Sequence, residues 1–364
     1  MHRRTFVKST AVWMGWPVLV NAVERGRFQA AAEVLEAAVG SGQVRTASIC
    51  VHQGSDGITQ AFGVGARSDD PYLLGSITKP ICMTALMTLY DRGLLRLDDP
   101  AQKHLPEFTG NDRERVTIRQ LLTHTSGLPD QLPENAELRM SHAPLDRFVA
   151  AALDTPLLFS PGTKYSYSSM GILLAAEIAQ RLSGQTIQDL TAETVFQPLG
   201  MERSAIGLGR FRLEELPQSQ TEFGAPESGA GDPQAKEWDW NSRYWRSLGA
   251  PWGTAHCSAP DVARFLSEFL HAEGKAVTPE TARLMRRNHN GEGLTPRGLG
   301  FALGHALAGE HVSADTFGHT GSTGTIAWAD PASDTVCVIL TTLPGRAVEP
   351  HPRQVASDRV AETR

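Results

Sequence analysis

The chain has 364 residues, 41% of them hydrophobic and 20% charged, with a formal net charge of −6. That size and composition suit an enzyme-sized globular protein with a sizeable core. Its basic residues are mostly scattered arginines with no stripe among them, which argues against a nucleic-acid-binding surface.

In chain order, the first element is His2-Arg3-Arg4-Thr5-Phe6-Val7-Lys8, which has the register of a twin-arginine export signal. The apolar stretch behind it, about 11–20, is short for a membrane span and is broken by Gly15 and Pro17, so no stable span is expected. Residues 1–22 are therefore read as a signal segment, with Val20-Asn21-Ala22 as the cleavage region, and the protein as periplasmic or otherwise exported. Strands are expected at 44–51 and 58–63, and again at 325–329 and 335–341. Between them lie helical patterns around 81–92, 114–122, 145–153, 170–182, 186–196 and 260–272. Strands at both ends around a helical insert predict one unit over 27–345. Its sheet would come from 44–65 and 298–342, beside a helical subdomain over about 81–270, with 346–364 as a C-terminal tail. The stretch 218–235, rich in Gly, Pro and Ser, reads as a mobile surface loop.

Four cysteines are widely spaced, with no Cys-x-x-Cys and no His-Glu-x-x-His, so neither a metal nor a cofactor is implied. Cys50 and Cys337, in apolar strands, are read as buried free thiols. No Gly-x-Ser-x-Gly elbow occurs, which argues against an α/β-hydrolase.

Chemistry gathers in three segments. Ser76-Ile77-Thr78-Lys79 opens a helix that Pro80 can tolerate only in its first turn, and residues three apart share a helix face. Downstream come Tyr165-Ser166-Tyr167-Ser168-Ser169 after a Pro-Gly turn, and Gly318-His319-Thr320-Gly321-Ser322 before a strand. Together they resemble the Ser-x-x-Lys, Tyr-x-Asn and Lys/His-Thr-Gly elements of the serine β-lactamase and penicillin-binding-protein superfamily. Their order and spacing resemble the branch of class C β-lactamases, D,D-carboxypeptidases, D-aminopeptidases and related esterases. The string Ile118-Arg119-Gln120-Leu121-Leu122-Thr123-His124-Thr125-Ser126-Gly127-Leu128 supports the same likeness, which runs from about residue 30 to 345.

The resemblance implies an α/β (α+β) fold of the β-lactamase/transpeptidase type, an antiparallel sheet flanked by helices with a mainly helical subdomain. It also implies a serine hydrolase working through a covalent acyl-enzyme on Ser76. A serine hydroxyl needs a base, and either a desolvated Lys79 or a phenolate-like Tyr167 would serve. By resemblance Tyr167 assists acylation, protonates the leaving group and activates the deacylating water. The amides of Ser76 and Ser322 would form the oxyanion hole. Ser169, His319, Thr320 and Gly321 would face substrate. Two departures bear on selectivity: Ser169 replaces the usual Asn, and His319 replaces the Lys of β-lactamases, leaving a group mostly neutral at pH 7. Both push against efficient β-lactam hydrolysis and towards esters or small amides, and the partner expected is a small-molecule ester, amide or peptidoglycan-derived substrate. Arg243 and Arg246, beside the tryptophan-rich segment 238–245, are candidates to hold a substrate anion instead. The alternatives are a D,D-peptidase or weak β-lactamase and, from another class, a non-catalytic penicillin-recognising or scaffold protein.

Overall fold

The computed structural model describes residues 22–363. The signal segment expected over residues 1–22 lies, apart from Ala22, outside the described residues. Among the described residues, nine strands form two sheets: β1 (Ala47–Gln53), β2 (Asp56–Phe62), β3 (Tyr72–Leu73), β4 (Ser204–Ile206), β5 (Ala255–Cys257), β6 (Ala302–Leu303), β7 (Phe317–Gly321), β8 (Thr325–Asp330) and β9 (Thr335–Thr341). The main sheet is antiparallel with order β2-β1-β9-β8-β7-β6. Strand β1 pairs with β9 over its whole length, so the two ends of the chain close on each other, as the strand positions predicted.

Helices are α1 (Ala22–Gly40), α2 (Thr78–Asp91), α3 (Ile118–Leu122), α4 (Asn135–Met140), α5 (Leu145–Asp154), α6 (Ser169–Ser183), α7 (Ile187–Thr191), α8 (Arg243–Ser247), α9 (Ala259–His271), α10 (Pro279–Met285), α11 (His305–Ala308) and α12 (Pro352–Ala361). Strand alternation decides which helix covers which face. Ile49, Val51, Ile326, Trp328, Cys337 and Ile339 join one apolar cluster with residues of α1 and α12. Their neighbours Cys50, Ala327, Ala329, Val336, Val338 and Leu340 face the larger core, which α9 caps. Every residue of α2 from Thr78 to Leu89 is buried, so this helix is the hub of the helical half. It packs against α6 and α7.

Three features depart from the sequence reading. The segment 346–364 is no tail: α12 packs beside α1 on the sheet, and Trp328 Nε1 donates to Ser357 Oγ at 2.8 Å. Helix α9, placed in the helical subdomain by its position in the chain, packs on β1, β8 and β9. The helical half also holds a small sheet, β3-β5-β4, of strands too short to leave a pattern. All four cysteines are buried free thiols. Among the described residues, no helix is long and apolar enough to cross a membrane.

Candidate active site

Ser76 lies in a single 3-10 turn, Gly75–Ile77, that runs directly into α2. Lys79, one turn on, is 1% exposed, and its Nζ donates to Ser76 Oγ at 2.9 Å and to the Trp252 carbonyl at 3.0 Å. Burial lowers its pKa from 10.5 to about 7; Asp130 pulls it up and Arg297 pushes it further down. A lysine so placed is substantially neutral near pH 7 while still in contact with the hydroxyl it would deprotonate.

Tyr167 stands beside this pair, with Lys79 Nζ 4.7 Å from its ring centre. Its ring is partly open to the cleft, whereas its hydroxyl oxygen is buried without a hydrogen-bond partner. Burial raises its pKa, a shift that Ser76 and Arg297 only partly oppose. The resting side chain is therefore a neutral phenol, and of the two candidate bases Lys79 is the one ready to accept a proton. Tyr165 turns away, half-buried and edge-on to His124, with the ring centres 6.1 Å apart.

The third segment closes the site from the sheet side. Strand β7 carries His319, Thr320 and Gly321 along the edge facing the 3-10 turn. Thr323 Oγ1 and Thr325 Oγ1 donate to the Leu73 and Leu74 carbonyls, each at 2.7 Å. Contact is so close that a Cβ at Gly321 would overlap the Leu74 carbonyl oxygen, and one at Gly75 would stand 3.1 Å from the Ser322 amide nitrogen. Gly75 also needs its freedom for a φ of +58°. This approach sets the amide of Ser322 beside the start of the Ser76 turn.

His319 is 4% exposed. Its Nδ1 faces the Thr320 carbonyl at 2.7 Å and so carries the proton, leaving Nε2 to accept from Arg297 Nη2 at 3.2 Å. Burial, with Arg297 and Lys79 nearby, holds its pKa well below 6.5. His319 is thus a neutral acceptor for an arginine. Ser169 lines the same cavity as Ser76 but is engaged otherwise: its hydroxyl and amide both donate to Asp130 Oδ1, at 2.6 and 3.0 Å.

Three site residues escaped sequence reasoning. Asp130 holds Ser169 and biases Lys79. His124, at φ +62°, accepts from the Ser168 amide at 3.2 Å, and its carbonyl accepts from Ser166, so it fixes the turn that presents Tyr167. The string containing His124 stood out in the sequence without revealing that chemistry. Arg297, 6% exposed, sits 2.9 Å from His124 Nε2 and 5.7 Å from the Tyr167 ring centre. Nothing in its neighbourhood, Pro296-Arg297-Gly298, marked it.

The anion holders expected from sequence are placed elsewhere. Arg246 is fully buried, bonded to the Trp240 and Pro217 carbonyls and to Asn241, while Arg243 is exposed beside Glu214. Neither lines the cleft. The stretch 218–235 is also no free loop: Gln220 accepts from Arg45 N and Thr342 Oγ1 and donates to the Gln43 carbonyl, and Phe223 and Ala225 line the cavity.

Two cavities meet at Ser76, Tyr167, Ser322 and Arg346. One, of about 250 Å³, has Trp240, Trp245 and Trp252 in its wall. The other, of about 320 Å³, is lined by Arg297, Arg346 and Arg353 and by no acidic side chain. Among the described residues, no three of His, Cys, Asp or Glu gather as a metal site.

A buried lysine on a cleft serine, a tyrosine beside both and an amide-bearing strand edge opposite make up the candidate centre. Residues 31–361 match the family described as Beta-lactamase, and the chain belongs to that family. It is 32% identical over 294 residues to esterase EstB of Burkholderia gladioli, covering 72% of each chain. It is 30% identical over 309 residues to penicillin-binding protein 4 of Amycolatopsis lactamdurans, covering 80% of this chain and 77% of the relative. Among solved structures it superposes on EstCE1, a hydrolase with promiscuous acyltransferase activity, with a TM-score of 0.77 at 20% identity, covering 93% of this chain and all of that one. That fold is the α/β arrangement the resemblance implied.

Proposed function

We propose that this protein hydrolyses an ester or amide of a small or cell-wall-derived molecule through an acyl-enzyme on Ser76. The observation that carries the reading is Lys79 Nζ, 2.9 Å from Ser76 Oγ and held near pKa 7 by burial. Neutral Lys79 takes the hydroxyl proton as Oγ attacks the substrate carbonyl carbon. The carbonyl oxygen becomes the oxyanion, held by the Ser76 and Ser322 amides. As the tetrahedral species collapses, the bond to the leaving group breaks and Tyr167 gives that group a proton, recovering one from Lys79. Water then attacks the acyl-enzyme, losing its proton to the Tyr167–Lys79 pair; the bond from Ser76 Oγ to the acyl carbon breaks, Oγ takes that proton back, and the acid is released. The tryptophan-lined cavity suits the acyl portion and the arginine-lined cavity the leaving group.

The arginines favour a second reading, a D,D-peptidase or weak β-lactamase. Three guanidinium groups without an acid in the lining suit a leaving group that bears a carboxylate, the charge that neutral His319 does not supply. Parallel kcat/KM values for a nitrophenyl ester, a D-Ala-D-Ala peptide and nitrocefin decide between them. Turnover led by the ester supports the first reading, and turnover led by the peptide or nitrocefin supports the second. Arg3 and Arg4 support export by the twin-arginine route. Exchanging both for lysine should leave the precursor in the cytoplasm, and unchanged export would remove that part of the account.

A further inference from the structure

The Gly321 carbonyl and the Ser322 N–H belong to one peptide group, and Arg353 from α12 reaches that group from behind. Its Nη1 donates to the Gly321 carbonyl and, at 2.8 Å, to the Thr325 carbonyl. Gly321 and Thr325 are the last pair of the β7–β8 ladder, so one guanidinium bridges the neck of the turn carrying Ser322. The Gly324 amide also donates to the Gly321 carbonyl at 3.1 Å, and the Gly345 amide holds the Ser322 carbonyl at 2.8 Å. Gly345 leaves the room: a Cβ there would stand 2.8 Å from the guanidinium carbon of Arg353. The side chain is half-buried and, among the described residues, has no carboxylate in ion-pair contact. Burying a guanidinium is costly unless its N–H groups are satisfied, and here two backbone carbonyls satisfy Nη1.

We propose that Arg353 is a positioning residue for the oxyanion hole, acting on the peptide group whose N–H would meet the oxyanion. A cationic donor on the carbonyl oxygen of an amide draws charge through the peptide and makes its N–H a stronger donor, because hydrogen bonds in a chain polarise one another. The same bridge holds the turn in register, so the amide needs no reorganisation when the oxyanion forms. The inference rests on the reading of Ser76 as nucleophile and Ser322 as oxyanion donor. It gives α12, far from the reaction in sequence, a part in the chemistry.

The test compares wild type with Arg353→Lys and Arg353→Met. Rapid-mixing acylation by an uncharged nitrophenyl ester is measured alongside the Kd of an arylboronic acid, which forms a tetrahedral adduct. Fluorophosphonate labelling of Ser76 in the wild type first checks the underlying reading on its own. Arg353→Met should slow acylation about 3- to 10-fold, a fraction of the 10²–10³ lost with a whole oxyanion donor. Boronate affinity should fall by a similar factor with KM within about twofold, and Arg353→Lys should recover most of both. Should Arg353→Met fail to fold, Arg353→Lys carries the test: its residual loss must appear equally in acylation and in boronate binding. A loss confined to substrates with a carboxylate on the leaving group would overturn the proposal and make Arg353 a ligand contact. So would a lowered melting temperature with acylation and boronate affinity unchanged.

Discussion

Burial of Lys79 has two consequences of opposite sense for pH. With a pKa near 7 folded against 10.5 unfolded, the folded chain binds fewer protons at this site between those values, so stability rises with pH across that window. Below about pH 7 the lysine is charged and buried, and its full cost is present. For catalysis the neutral form is the useful one, so acylation should climb with pH through about 7 and level off above it. Asp130 and Arg297 bear on the ammonium with opposite signs, while His319, neutral there, does not pin it. Stopped-flow acylation from pH 5 to 9 checks this, and a flat profile would remove Lys79 as base. Lys79→Arg, which cannot shed its proton, should lose about 10²-fold or more. Ser76, Lys79 and Tyr167, which the structure brings together, could be picked out as candidates because each lies in a recognisable segment with local spacing. Asp130 and Arg297 could not, because they reach the site from irregular segments where no period marks a residue as inward-facing.

At the scale of elements, α12 shows why part of the fold was hidden. Its buried residues are small or polar, Ala356, Ser357, Val360 and Ala361 among them, so the stretch has no apolar face strong enough to read. By contrast α9 buries Val262, Phe265, Leu266 and Phe269 and was plain from its spacing. What secures α12 is specific contact: Ser357 Oγ accepts from Trp328 Nε1 inside the sheet-side core. Ser357→Ala leaves that buried N–H unpaired and should cost about 1–3 kcal/mol in denaturant unfolding, with Ser76 labelling retained. Stability unchanged within about 0.5 kcal/mol would show that the contact does not secure the helix. The three-stranded sheet β3-β5-β4 was hidden for a different reason. Strands of two or three residues carry no alternation to detect.

For the molecule as a whole, the interleaving of chain ends was the legible part: strands near residue 50 and residue 340 pair, and the helical middle is held against their sheet. The cleft between the halves is what that topology creates, and two cavities of different character meet there at Ser76. Their linings come from segments spread from Gly75 to Arg353, so selectivity was readable from the sequence only in part. The arginines expected to offset a neutral His319 were Arg243 and Arg246, whereas those lining the second cavity are Arg297, Arg346 and Arg353. In the proposed reaction, this cleft acylates Ser76. Intact-protein mass spectrometry after brief exposure to an activated fluorophosphonate, a nitrophenyl ester and a penicillin tests it most directly. The fluorophosphonate should give a single adduct and the ester a transient acyl adduct. Peptide mapping should place both on Ser76, and Ser76→Ala should show neither. An adduct on another residue, or none from any of the three reagents in folded protein, would contradict it.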